Sequence, residues 1–303
     1  MKTILITGGT GLVGKALTKL LTENGYLVKW LTRKINPSES TPQYTWDWKN
    51  KKIEIEALTD VDAIINLAGA SINGRKWTKQ WKKEIYDSRI KSTEFLFDTI
   101  SKEKNKIQTF VSISAVGYYG AVTTERTFVE TDAHANDFLG NTCFDWEQQA
   151  NRFKDLGIRT VIIRTGIVLA KESEAFKKII FPIRFNLGAA LGSGKQIFPW
   201  IHIEDLCSIL MKSVSDETIE GAYNAVAPEQ LTNKELMQKL SVALDKNFFL
   251  PNIPSFILNL VFGELAVSLL NGSKISPDKL IKAGYEFQFK NLMEATKELL
   301  IQK

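Results

Sequence analysis

Thr7-Gly8-Gly9-Thr10-Gly11-Leu12-Val13-Gly14 is the stretch on which the reading of this chain turns. Before it stands a short apolar run, Lys2-Thr3-Ile4-Leu5-Ile6. After it, Lys15-Ala16-Leu17-Thr18-Lys19-Leu20-Leu21 has the apolar period of a helix. A strand, a glycine turn and a helix start follow one another in the order that a dinucleotide site requires. Gly8 allows a tight exit from the strand. Gly11 allows the backbone to approach a pyrophosphate without a Cβ in the way, and Gly14 allows the helix to lie close on the strand. The free N–H groups and positive dipole end of that helix then face the phosphates. With Thr7, Thr10, Leu12 and Val13 these glycines form the candidate phosphate cradle.

Composition sets the frame. With 303 residues, 44% hydrophobic and 24% charged, the chain is long and apolar enough for one large domain, or for a domain with a smaller appended lobe. A net charge of +5 is mild, and no basic run is interleaved with aromatics, so nucleic acid is not an expected partner. Two cysteines, Cys143 and Cys207, give neither a disulfide framework nor zinc spacing, and no metal is expected. The first strand starts at residue 2 and leaves no room for a signal peptide. Residues 256–270 are apolar but too short to span a bilayer. The expectation is a cytoplasmic protein with a small-molecule substrate and no membrane partner; the oligomeric state stays open.

The end of the second strand, residues 26–32, selects the nucleotide. An Asp or Glu there would hold a free ribose 2′-hydroxyl. Thr32, Arg33 and Lys34 stand there instead. Two cations and a hydroxyl suit a 2′-phosphate, so NADP is preferred over NAD; the bland alternative is a solvated turn.

The glycines are spaced G-x-x-G-x-x-G, with Gly9 as a fourth between. This resembles the fingerprint of the extended short-chain dehydrogenase/reductases, the superfamily of sugar-nucleotide epimerases and dehydratases. The resemblance implies a Rossmann-type doubly wound parallel sheet. Asn66-Leu67-Ala68-Gly69 is similar to the superfamily turn that lets the adenosine-side ribose and phosphate pass, which makes Leu67, Ala68 and Gly69 cofactor candidates. Glu84 and Arg89, on the helix expected over residues 77–104, lie near the end of the nucleotide cleft if the resemblance holds; otherwise they are a surface ion pair. The backbone around Val168 falls near the nicotinamide by the same likeness.

For the chemistry, the resemblance implies a strand ending in serine followed by Tyr-Gly. Here that is Ser114 with Tyr118 and Tyr119, the candidate catalytic residues. The chain then departs from the pattern. Where a Tyr-x-x-x-Lys pair belongs, it has Leu139 and Cys143, with Glu147 four residues further. A tyrosine with no neighbouring cation keeps a pKa near about 10, a poor base at neutral pH but an adequate acid, so reduction is the favoured direction. His202, in Trp200-Ile201-His202-Ile203-Glu204-Asp205, reads as structural. Gln196, Trp200 and Arg184 are candidates for the substrate wall, with a core or surface role equally open.

Past Phe248, Pro251, Pro254 and Pro277 punctuate short apolar helices. Together with Ser114-Ala115-Val116-Gly117-Tyr118-Tyr119-Gly120 and Cys143-x-x-Asp145-Trp146-Glu147, this ending resembles the atypical epimerase-family proteins that carry a small C-terminal domain of unassigned function. The implied layout is residues 1–247 as an NADP-binding domain and 248–303 as a mostly helical lobe on the substrate side. The implied activity is an NADP-dependent oxidoreductase or epimerase. The alternative is an NADP-binding sensor or interaction protein with little or no catalysis.

Overall fold

The computed structural model describes residues 1–72 and 75–300. Strand β1 (Thr3–Thr7) runs into the glycine turn and helix α1 (Leu12–Glu23), then β2 (Leu27–Thr32), β3 (Gln43–Asp47), a short β4 (Lys52–Ile53) and β5 (Ala63–Asn66). Helix α2 (Lys79–Ile100), β6 (Thr109–Ala115), β7 (Thr127–Phe128), α3 (Phe138–Asn151), β8 (Arg159–Thr165), β9 (Ile167–Leu169) and α4 (Glu174–Arg184) follow. Next come β10 (Ile197–Phe198), β11 (Trp200–His202), α5 (Ile203–Ser215), β12 (Gly221–Ala225), β13 (Leu231–Thr232) and α6 (Asn233–Ala243). The C-terminal part holds α7 (Ser255–Phe262), α8 (Ala266–Leu270), β14 (Lys274–Ile275), α9 (Asp278–Lys282) and α10 (Leu292–Leu300).

Eight strands form one sheet in the order β12-β8-β6-β5-β1-β2-β3-β4. All neighbours are parallel except β3 and β4. This is the doubly wound sheet of Rossmann type that the first glycine turn implied. The order reverses at β1, so the crevice beyond the C-terminal ends of β1 and β5 is the place for a ligand.

Parallel strands are covered on both faces, and alternate side chains go to opposite faces. Ile4, Ile6, Ala63, Ile65, Val111 and Ile163 pack against Leu17 and Leu21 of α1 and Leu206 and Leu210 of α5. Their neighbours Leu5, Leu31, Ile64, Phe110 and Ile162 pack against Leu96 and Ile100 of α2 and Phe153 beyond α3. Phe110 and Phe153 stack with ring centroids 3.7 Å apart. Helix α3 begins at Phe138, because Asp137 caps it by accepting from Gly140 N at 2.7 Å.

The C-terminal stretch winds across the main domain. β14 pairs with β7, Leu280, Tyr285 and Phe287 join the α1/α5 side of the core, and Leu292 and Leu299 pack near α6. Asp205, buried at the start of α5, accepts from Tyr285 Oη (2.8 Å), Gln288 N (2.8 Å) and Phe289 N (3.0 Å). Burial beside this carboxylate pushes the Tyr285 phenol well above its ordinary range. Of the three suggested wall residues, two are core ties. Trp200 is buried and donates to Glu229 O, while Gln196 is buried and donates to Leu191 O and Leu269 O. Arg184 is exposed at the end of α4.

His202 caps α5 through Nδ1, which accepts from Glu204 N at 3.3 Å, and its Nε2 lies 3.0 Å from Glu298. An accepting Nδ1 requires the neutral ring with the proton on Nε2. Burial holds the pKa below the ordinary 6.5, outweighing Glu298. A lowered folded pKa means the unfolded chain takes the proton first. The stabilisation is therefore complete above about pH 6.5 and lost as pH falls toward the folded value. Urea midpoints measured from pH 7.5 down to 5.5 should fall more steeply in the native protein than in His202→Gln. Parallel slopes would remove His202 as the cause.

Candidate nucleotide and catalytic site

Gly8 leaves β1 at φ +72°, a left-handed conformation, and a Cβ there would lie 3.0 Å from the Leu67 backbone. The first turn therefore sits directly on the end of β5. Gly9 makes room for another side chain, since a Cβ on it would overlap the buried Trp30 ring. Gly14 does more than bring α1 close to the strand. Its Cβ would lie 2.5 Å from Gly8 O and 2.6 Å from Gly9 Cα, so α1 packs on the turn itself. Gly11 donates to Gly8 O at 3.0 Å and stands at the N-cap of α1. No side chain caps this end, and the first turn holds no acid. Thr10 is exposed, Leu12 and Val13 are half-buried, and together they rim an N-terminus open to an anion.

Thr7 works inside the fold. It is buried, donates to Asn66 Oδ1 at 2.6 Å and accepts from Ala68 N at 3.2 Å. Asn66 donates in turn to Thr93 Oγ1 at 3.1 Å. This chain of bonds locks β1, β5 and α2 together beneath the cradle.

A cleft of about 750 Å³ opens beside the cradle and is lined by Arg33, Gly69, Ala70, Arg75, Lys76 and Glu84, among others. Arg33 faces it, and Arg75 and Lys76 add two cations that the sequence reading passed over. Arg75 lies over the Trp81 ring at 4.8 Å. Thr32 is buried and its hydroxyl donates to Lys34 O at 3.0 Å, shaping the turn, while Lys34 is exposed. Glu84 pairs with Lys49 at 2.8 Å on the rim. Arg89 donates from Nη1 to Ala70 O (3.0 Å) and Ile85 O (2.9 Å), and lies over Trp146. A Cβ on Gly69 would stand 3.1 Å from its Cζ. Desolvation lowers the pKa of this guanidinium. Val168 pairs with Ile201 between β9 and β11 and is half-buried.

The catalytic candidates converge on a cation that the sequence reading missed. Arg164 of β8 is buried and bonds Glu147 twice, Nε to Oε1 at 2.9 Å and Nη2 to Oε2 at 2.8 Å. The Ser114 hydroxyl donates to the same Glu147 Oε1 at 2.7 Å. Arg164 Nη1 donates to Tyr119 Oη at 3.0 Å, and that hydroxyl donates to Asn224 Oδ1 at 2.8 Å. Burial pushes the Tyr119 phenol up to about 12, although Arg164 and Asn224 oppose the rise. Ser114 and Tyr119 are thus both engaged inside the fold. Tyr118 differs: its ring lies 3.5 Å from the Arg164 guanidinium carbon and meets His134 edge to face.

Leu139, Cys143 and Glu147 recur every four residues and so share one face of α3. A Cβ on Gly117 would meet Leu139 at 3.4 Å and Cys143 at 3.8 Å, so this face lies against the end of β6. Burial and Glu147 push the Cys143 thiol up to about 12, which makes it a packing residue at neutral pH. Arg164 had a signal in the sequence: a cation that directly follows the apolar run Val161-Ile162-Ile163 of a central strand requires a partner. Glu147 is that partner.

Comparison with known proteins fits this geometry. Residues 4–225 match the NAD dependent epimerase/dehydratase family, and residues 253–299 match a domain of unknown function, DUF1731. Human epimerase family protein SDR39U1 is 35% identical over 98% of this chain and 99% of its own. Its crystal structure (isoform 2), solved with NADPH, superposes with a TM-score of 0.89 over 98% of both chains. Epimerase family protein YfhF of Bacillus subtilis is 34% identical over 99% of this chain and 98% of its own. A nucleoside-diphosphate sugar epimerase from Corynebacterium glutamicum is 28% identical, with a TM-score of 0.80 over 99% of this chain and 58% of its own. The chain belongs to the NAD dependent epimerase/dehydratase family and carries that C-terminal domain of unknown function.

Proposed function

We propose that this chain is an NADP-dependent oxidoreductase of the epimerase family that acts on a small polar carbonyl metabolite. The single observation that carries the reading is the uncapped, acid-free start of α1 beside a cleft bearing Arg33, Arg75 and Lys76. The residues fit the nucleotide: N–H donors for its pyrophosphate at α1, cations for its 2′-phosphate, and Gly69 under Arg89, where a Cβ would crowd the guanidinium and not the open cleft. NADPH, when bound, supplies a hydride to a carbonyl carbon. The chain's own task is then to hold a proton for the carbonyl oxygen. Tyr118 Oη is our candidate donor. Arg164 packs against its ring and holds that ring in place. Ser114 and Tyr119 act as positioning residues, fixing Glu147 and Arg164.

Arg33→Asp should reduce the preference for NADPH over NADH by about 10–100-fold, the value of one or two charge-assisted bonds. Equal affinity of the native protein for the two nucleotides, by calorimetry, would contradict the reading. In a reductase screen against carbonyl metabolites, Tyr118→Phe should lose about 10²–10⁴ in kcat with NADPH affinity unchanged. Full activity in Tyr118→Phe would reassign the donor. One observation favours the second reading, an NADP-binding sensor: the hydroxyls of Ser114 and Tyr119 are both held inside the network. Tight NADPH binding with no carbonyl reduced by any of the proteins would support it.

A further inference from the structure

Away from the nucleotide cleft, one surface is too apolar to be left in water. Helix α7 has a single buried residue, Leu258, and residues 247–263 carry no charge. Phe256 is 71% exposed and Leu260 78%. Only Ser255 and Asn259 interrupt the apolar side chains of α7, and a helix this apolar is ordinarily buried. Phe181 in the last turn of α4 and Phe185 just past its end are as open at 66% and 62%, and Phe249 at 68%. These residues lie on adjoining segments. Asn247 N donates to Asn186 Oδ1 at 3.0 Å, joining the exit of α4 to the chain that leads into α7. Leu191 bridges Ile253, and a Cβ on Gly192 would meet Ser255 Oγ at 3.1 Å.

We propose that this face is the contact between two copies of the chain. The first argument is area. Four phenylalanines about two-thirds exposed leave roughly 500 Å² of ring in water. Leu260 and its aliphatic neighbours bring the total to about 800 Å², which is what one partner contributes to a stable pair. A solitary soluble protein rarely leaves so large a patch open. The second argument is charge. Lys177, Lys178 and Arg184 flank the patch, but exposed Glu174 and Asp245 share the same margin. A rim of both signs suits a copy of itself turned about a twofold axis. An anionic lipid surface would call for one sign, on the helix that inserts, and α7 carries none.

The test uses the full chain in analytical ultracentrifugation over a concentration series, with Phe256→Asp and Leu260→Asp beside the native protein. Both side chains are exposed, so neither substitution removes core packing. The native protein should sediment as a dimer, and each variant should dissociate at least tenfold more readily, about 1.4 kcal/mol, with unchanged NADPH affinity. A native protein that stays monomeric throughout overturns the proposal, as does a dimer that neither variant weakens. Co-sedimentation of a native monomer with phosphatidylserine vesicles overturns it in favour of a membrane.

Discussion

Glu147→Ala should be the most damaging single substitution in this protein, costing about 3–5 kcal/mol of stability. The alanine leaves Arg164, 3% exposed, without the carboxylate that accepts two of its N–H groups. A buried guanidinium stripped of its partner is far worse than no ion pair at all, because its desolvation is then uncompensated. The Ser114 hydroxyl loses its acceptor in the same step. The unfolding temperature should fall by about 6–10 °C or more. Glu147→Gln, which keeps the shape and one acceptor, should lose less. Glu147→Leu combined with Arg164→Met should recover part of the loss, since neither charge is then buried. An unfolding temperature for Glu147→Ala within about a degree of the native value would show that the network is not a stability element.

The second large effect is on the nucleotide. Gly14→Ala should weaken NADPH binding by about 100-fold or more, the loss of two or more phosphate contacts. The new methyl would meet backbone on every near side, Gly8 O and Gly9 Cα and O, and none of these can rotate away as a side chain does. The turn must open, and the N–H groups of α1 leave the positions in which they converge. Gly25→Ala is the control. Gly25, unlike Gly14, has a positive φ, +80°, but nothing lies within 4 Å of its Cβ position. It should cost about 1 kcal/mol of stability and leave affinity alone. If Gly14→Ala binds NADPH as the native protein does, the phosphates do not sit at this turn.

What the sequence disclosed follows the range of the interactions. The strand, turn and helix of residues 2–21 are local, and their glycine spacing gave the fold and the cradle. Arg33 could be named as a candidate because the end of β2 is the place from which a residue can answer to the ribose 2′ group, and it lines the cleft. Arg75 and Lys76 were not, because they reach the same cleft from a segment with no periodic pattern. The centre of the candidate catalytic site was hidden for another reason. Ser114, Glu147, Arg164 and Asn224 come from β6, α3, β8 and β12, and only the sheet order brings them together. The expectation of a tyrosine with no neighbouring cation fails on this point, since β8 places Arg164 against both Tyr118 and Tyr119. The engagement of the Ser114 and Tyr119 hydroxyls was equally illegible, because a one-dimensional pattern names a residue but not its bond.

The clamp at Asp205 bears on how the chain matures as it is made. Synthesis runs from the N-terminus, and domains tend to fold in that order. Here the start of α5 leaves the ribosome long before Tyr285, Gln288 and Phe289, whose donors satisfy the Asp205 carboxylate. Until they arrive, burying Asp205 costs several kcal/mol for want of partners. The nucleotide-binding half is therefore held short of completion while it is nascent, and its last step waits for residues 285–289 to emerge. A ribosome stalled before residue 285 should display a chain in which α5 is open to protease, and release of the full chain should close it.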